Sequence, residues 1–159
     1  MRNIKGIICI LLVSVFLAGC GNPASSTNTE TMTANEFKKS MENKGFTVVD
    51  QTSSAADSTY QKIYVAVDEK KYSFEYYFMK NDDSADVVYQ YAVSGLTNAY
   101  ADKNATISED EKDNSKRYYV DASDYYCVVL KKENTVLYVT AYHDYEKEAK
   151  NIVKELGYK

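Results

Sequence analysis

The feature that most constrains the fold is the alternation in residues 63–78. Ile63, Val65 and Val67 recur at every second position. Asp68-Glu69-Lys70-Lys71 then supplies a polar turn, and Tyr72, Phe74, Tyr76 and Phe78 alternate on the way back. A period of two belongs to strands, because successive side chains leave opposite faces of a sheet. Two such runs joined by a short turn predict a β-hairpin. Its second strand places four aromatics on one face and Ser73, Glu75 and Tyr77 on the other.

Other elements fall into place around this hairpin. Thr33-Ala34-Asn35-Glu36 fits a capping box, Phe37 and Met41 form an apolar stripe, and Gly45 suits a C-terminal stop. These predict a three-turn helix, followed by a strand at Phe46–Asp50 and a polar loop at Gln51–Thr59. Asn81-Asp82-Asp83-Ser84 offers capping residues and first-turn acids for a second helix running to about Ala101. Ala85, Val88, Tyr89, Ala92, Leu96 and Ala99 share its inward face. Ala105–Glu109 and Lys116–Asp121 read as strands flanking an acidic loop, Asp110–Ser115. Tyr125–Leu130 and Thr135–Tyr142 form another hairpin, turning at Lys131-Lys132-Glu133-Asn134. Asp144 is placed to cap a last helix, with Tyr145, Ala149, Ile152, Val153 and Leu156 inward and Gly157 at its end.

The order is therefore α-β-β-β-α-β-β-β-β-α. Short connections favour antiparallel neighbours, so the prediction is a single α+β layered domain over residues 34–159. About six or seven mostly antiparallel strands would be covered by about three helices. Residues 60–101 and 125–158 share a strand, turn, strand, helix plan. This is compatible with an internal duplication, and equally with the common use of hairpin-then-helix units.

The N-terminus carries a different signal. Arg2 and Lys5 precede the apolar run Ile7–Leu17, which is too short for a permanent membrane span, and small residues follow it. Leu17-Ala18-Gly19-Cys20 resembles the lipobox of bacterial lipoproteins at all four positions. That resemblance covers residues 1–20 and implies removal of residues 1–19 and a diacylglyceryl group on the Cys20 thiol. Two acyl chains hold a protein on a bilayer stably where one does not. Gly21–Thr33 is small and polar, as expected of a flexible tether. Thirteen such residues span roughly 20 Å root-mean-square and at most about 45 Å. The expected location is the extracytoplasmic face of a cell membrane. A bias toward Lys, Asn and Tyr, with one Pro and no Trp, fits a Gram-positive source.

Cleavage would remove Arg2 and Lys5 from the 19 basic residues and none of the 23 acidic ones, leaving 17 against 23 and a net charge of −6. An acidic chain with no basic run argues against nucleic acid as partner and against charge-driven docking to anionic lipid. Cys9 would leave with the signal and Cys20 would be acylated. Cys127 then has no disulfide partner within the chain, so the fold must rest on its core.

Few residues suggest chemistry. His143, the only histidine, lies beside Asp144, but no Gly-x-Ser-x-Gly elbow accompanies it. It reads as a strand-end residue. Cys127 sits in the apolar run Tyr125–Leu130, a setting that suits a small buried hydrophobe better than a reactive thiolate. Acidic groups at Asp82-Asp83, at Glu109-Asp110-Glu111 with Asp113, and at Asp121 with Asp124 lack the glycine and the ligand spacing of a calcium loop. One histidine and one unmodified cysteine are few ligands for zinc. No metal, cofactor or catalytic group is predicted.

The sixteen tyrosines are the most unusual feature. Adjacent pairs on a strand must point to opposite faces, so Tyr77, Tyr119 and Tyr126 are candidates for an exposed binding surface. Lys70, Lys71, Lys131 and Lys132, placed in two hairpin turns, are candidates for a polyanion contact if those turns meet at one end. The expectation is a non-enzymatic, lipid-anchored domain that binds an envelope protein or cell-wall component. The alternatives are a small-ligand or ion-binding module accessory to a transporter and, third, an envelope hydrolase built on His143 or Cys127.

Overall fold

The computed structural model describes residues 31–55, 58–68, 71–101, 104–112 and 115–158. Leu17–Cys20, expected to be a lipobox, the residues up to Glu30 of the expected tether, and Lys70 lie outside the described residues. Within them the chain forms α1 (Ala34–Asn43), β1 (Thr47–Asp50), a 3₁₀ turn (Thr52–Ser54), β2 (Tyr60–Asp68), β3 (Tyr72–Met79) and α2 (Asp82–Tyr100). These are followed by β4 (Thr106–Lys112), β5 (Ser115–Asp121), β6 (Tyr125–Lys132), β7 (Thr135–Tyr142), a second 3₁₀ turn (His143–Tyr145) and α3 (Glu146–Glu155). The element order and the α+β class are those read from the sequence.

All seven strands belong to one antiparallel sheet in the order β1-β2-β3-β7-β6-β5-β4. A three-strand meander and a four-strand meander meet at its centre, where β3 pairs with β7 from Tyr72↔Ala141 to Phe78↔Thr135. α1 and α3 pack on one face, over Tyr64, Phe74, Tyr76, Val128 and Leu137. α2 packs on the other, over Ile63, Tyr77, Val120, Val129 and Tyr138. Covering both faces explains why β3 reads as aromatic on one side and yet buries Ser73, Glu75 and Tyr77 on the other. A two-fold axis that exchanged antiparallel β3 and β7 would stand perpendicular to the sheet and keep each face on its own side. Because α2 and α3 lie on opposite faces, the two hairpin–helix units are not related by such an axis.

Local chemistry sets the helix ends. The Thr33 hydroxyl accepts from the Glu36 amide, and the Glu36 carboxylate accepts from the Thr33 amide at 2.8 Å, completing the capping box. At the other end Gly45 (φ 86) donates to Glu42 O, and Phe46 donates to Met41 O. Both bonds of this cap need a left-handed residue, which glycine adopts without strain. Gly157 (φ 83) and Tyr158 repeat the arrangement after α3, bonding Lys154 O and Val153 O. Asn81 caps α2 through the Ser84 amide at 2.9 Å.

Several local expectations are corrected. Asp144 does not cap the last helix: residues 143–145 form a 3₁₀ turn, and α3 starts after Tyr145 without a side-chain cap. Ala99 faces solvent, while Tyr100 beside it turns inward against Cys127. Most of the loop expected at Asp110–Ser115 is strand, since opposite charges pair across it, Asp110 with Arg117 and Glu111 with Lys116. Lys131 and Lys132 belong to β6, and the turn is only Glu133-Asn134, with Glu133 in the left-handed region (φ 48). Asn134 clamps this turn to the end of β3 through Met79.

Candidate functional site

α2 and α3 differ in reach. Nineteen residues give α2 about 28 Å of length and ten give α3 about 15 Å at 1.5 Å per residue. The α2 roof extends over β3, β7, β6 and β5. On the opposite face α3 leaves a margin of β5 and β6 uncovered, and there a groove of about 410 Å³ opens.

Its floor is Tyr126, Val128 and Leu130, successive same-face residues of β6. Val153 of α3 forms one wall and Tyr119 of β5 the other, with Tyr158 closing the end. The glycine cap at Gly157 turns the chain back so that Tyr158 inserts, and its hydroxyl shares a 2.7 Å hydrogen bond with Thr135 Oγ1. Burial pushes the Tyr158 and Tyr126 phenols above their ordinary range. They stay neutral hydrogen-bonding groups.

The rim carries cations. Lys150 Nζ stands 4.9 Å from the centre of the Tyr126 ring, within cation–π range, and also pairs with Glu146 one turn earlier. Arg117 donates to the Tyr119 hydroxyl at 3.3 Å. Lys154 lines the same wall exposed, and Lys132 approaches Gly157 O at 3.5 Å. An acidic protein thus concentrates four basic side chains around one apolar, tyrosine-lined groove.

The sequence candidates are distributed unevenly. Tyr119 and Tyr126 both line the groove, but only Tyr119 is partly exposed; Tyr126 is 3% exposed, packed into the core between β5 and α3 rather than presented to solvent. Tyr77 does not line it: it is 3% exposed under α2 and donates to the Glu75 carboxylate at 2.5 Å. Lys131 is also withdrawn from solvent, 3% exposed, with Nζ 2.6 Å from Asp82 and 3.4 Å from Asp86 at the start of α2. Lys71 and Lys131-Lys132 lie at opposite ends of the sheet, because Lys71 O bonds the end of β7 whereas Lys132 pairs with its start. Eight strand residues separate those ends by about 25 Å. These lysines do not form one cationic cluster. Lys71 instead sits among Asp68, Glu148 and the rings of Tyr72 and Tyr145.

Glu75 was not singled out in the sequence. It is 2% exposed at the centre of the α2 face, and burial pushes its carboxyl up to about 7, although the Tyr77 hydrogen bond works the other way. Arg117, Lys150, Lys154 and Tyr158 were also missed. Each reads as an ordinary exposed or terminal residue until α3 is set beside β6.

Cys127 is buried on the α2 face, with Sγ 3.7 Å from the Tyr100 hydroxyl. His143 lies at the end of the opposite face, so the two form no thiol–imidazole pair. Strand alternation sends Glu109 and Glu111 to one face and Asp110 to the other, so these acids do not converge. A second, more open depression of about 500 Å³ lies between α2 and β5. Its charges are already matched, Lys116 to Asp86 at 2.5 Å. Burial alone would raise the Asp86 carboxyl, but Lys116 and Lys131 outweigh it and hold it below its usual range. Comparison with known protein families, with characterised proteins and with solved structures finds no match to this chain.

Proposed function

We propose that this protein is a non-enzymatic, lipid-anchored lipoprotein of the extracytoplasmic face, and that its groove binds an extended, acidic segment of an envelope protein. The observation that carries the reading is the pairing of an apolar tyrosine floor with a basic rim, in a chain whose net charge is negative. Carboxylates of a partner would meet Arg117, Lys150 and Lys154, while its apolar side chains would cover the half-buried Tyr119 and Val153. A bare polyanion would leave these half-buried walls wet, which favours a peptide with both acidic and apolar residues. Tyrosine suits such a surface, since it offers a large amphipathic contact with little rotamer entropy to lose.

The chain's path supports a place near the membrane. Tyr76 donates its hydroxyl to Met32 O, and the Thr31 hydroxyl bonds Glu133. The polypeptide therefore enters at the β6–β7 turn. With Cys20 acylated, eleven further residues would place that end roughly 20 Å root-mean-square from the bilayer, and at most about 40 Å. The Lys132 and Tyr158 end of the groove would face the membrane. Tethering would raise the effective concentration of any membrane-bound partner.

Site-specific photo-cross-linking in intact cells tests this. A cross-linking residue at Lys154 is expected to capture a discrete partner, and Tyr119→Ala in the same chain is expected to abolish the adduct. A control probe at the exposed Val49 on edge strand β1 should capture nothing comparable. Identical adducts from both positions, unaffected by Tyr119→Ala, would remove the groove from the account. Cys20→Ser should release the protein from the membrane fraction.

A further inference from the structure

At the Tyr126 end of the groove, three segments bring a histidine and two carboxylates together. Asp121 ends β5, His143 follows β7, and Glu146 is the first residue of α3. His143 Nδ1 lies 3.5 Å from Asp121 Oδ1 and 3.6 Å from Glu146 Oε2. The three ligand atoms all lie within 4.8 Å of one another. We propose that Asp121, His143 and Glu146 form a binding site for a divalent transition metal of the Zn²⁺ type.

The spacing carries this. Four donors placed tetrahedrally at 2.0–2.1 Å from zinc stand about 3.3–3.4 Å apart. Two of the three donor pairs are within a few tenths of an ångström of that edge. One imidazole nitrogen with two carboxylate oxygens suits a borderline cation; calcium would want six or more oxygens. The histidine is positioned by the backbone, since its amide donates to Asp124 O at 3.1 Å. Asp121 is fixed by its pairing opposite Tyr126 on β6. Glu146 turns Oε2 toward His143 while Oε1 engages Lys150, so the carboxylate is oriented by a neighbour as metal ligands commonly are. His143 and Asp121 are about half exposed, so an ion has a path in and a fourth position is left for water or a ligand. The alternative is a protonated imidazole ion-paired with two acids, which predicts no metal uptake. This inference does not depend on what the groove binds.

The test uses the full-length chain in detergent micelles, stripped with chelator, near neutral pH. Calorimetric titration with ZnCl₂ is expected to show saturable binding. Asp121→Asn and His143→Ala should each weaken it by about tenfold or more. Titration with CoCl₂ should give visible d–d bands of a low-symmetry, four- or five-coordinate ion, absent from His143→Ala. Asp121→Asn guards against a folding defect in the histidine variant. Absence of saturable Zn²⁺ uptake by the unmodified chain, or uptake unchanged in both variants, would overturn the proposal.

Discussion

The two faces of the sheet solve the same burial problem differently. On the α2 face a single long helix covers the central strands and traps polar groups that must be matched inside: Glu75 by Tyr77, and Lys131 by Asp82 and Asp86. On the other face two short helices share the cover and leave β5 and β6 partly open. Its polar groups, the Tyr119 hydroxyl, Arg117, Lys150 and Lys154, meet water. A closed face spends its polar residues on internal partners, whereas an open face keeps them for external ones. Of the binding candidates, Tyr119 on the open face is therefore partly accessible, while Tyr126, Tyr77 and Lys131 are not.

Substitutions on the two faces should separate accordingly. The largest effect is expected from Tyr89→Ala. This ring projects from the inward side of α2 and is fully buried, and its hydroxyl donates to Glu109 at 3.3 Å. Truncating a buried aromatic of this size costs about 3–5 kcal/mol. Denaturant unfolding should show it as a lower midpoint with an unchanged slope.

Next is the pH dependence set by Glu75. Its folded pKa of about 7 lies above the value of 4.5 for an unburied glutamate. Between those values the folded state holds the proton that the unfolded state has lost. Stability contributed by this group is thus complete below about pH 4.5 and is lost as pH rises toward 7. The limit of the change is about 3 kcal/mol, at 1.36 kcal/mol per pKa unit. Glu75→Gln keeps an acceptor for the Tyr77 hydroxyl and removes the titration. Its unfolding free energy should be flat across this window and higher than that of the parent above pH 7. A parent profile equally flat would show that Glu75 titrates alike in the folded and unfolded states, so that burial does not raise its pKa.

The smallest stability effect is expected at the open face. Tyr119→Ala removes a partly buried ring at the edge of the core, so unfolding should change by about 1 kcal/mol, well below the Tyr89→Ala loss. The same substitution should abolish the groove-dependent cross-link. A loss comparable to that of Tyr89→Ala would mean that Tyr119 belongs to the core, and the contrast between the faces would fail.

Much of this architecture was legible along the chain. The period-two aromatics of β3, the capping box at Thr33 and Glu36, the Asn81 cap and the two glycine stops set the elements and their order, because each signal is local. Errors arose where longer-range pairing overrode local polarity. Charged residues at Asp110–Lys112 look like a loop, yet they gain cross-strand partners. Lys131 looks like a turn residue, yet it lies beneath α2 once β6 is extended by two positions. The groove was half visible: Tyr119 and Tyr126 were candidates, but Lys150, Lys154 and Tyr158 gave no signal in isolation.

By itself the sequence determined the strand and helix succession and most of the inward stripe of each helix. Periodicity and capping act over only a few residues. Tertiary structure alone decided which helix covers which face, that the β2–β3 and β6–β7 turns lie at opposite ends, and that Asp121, His143 and Glu146 meet. Those outcomes depend on strand order and on helix length relative to sheet width. They are properties of the assembled layers, and no local pattern in the chain encodes them.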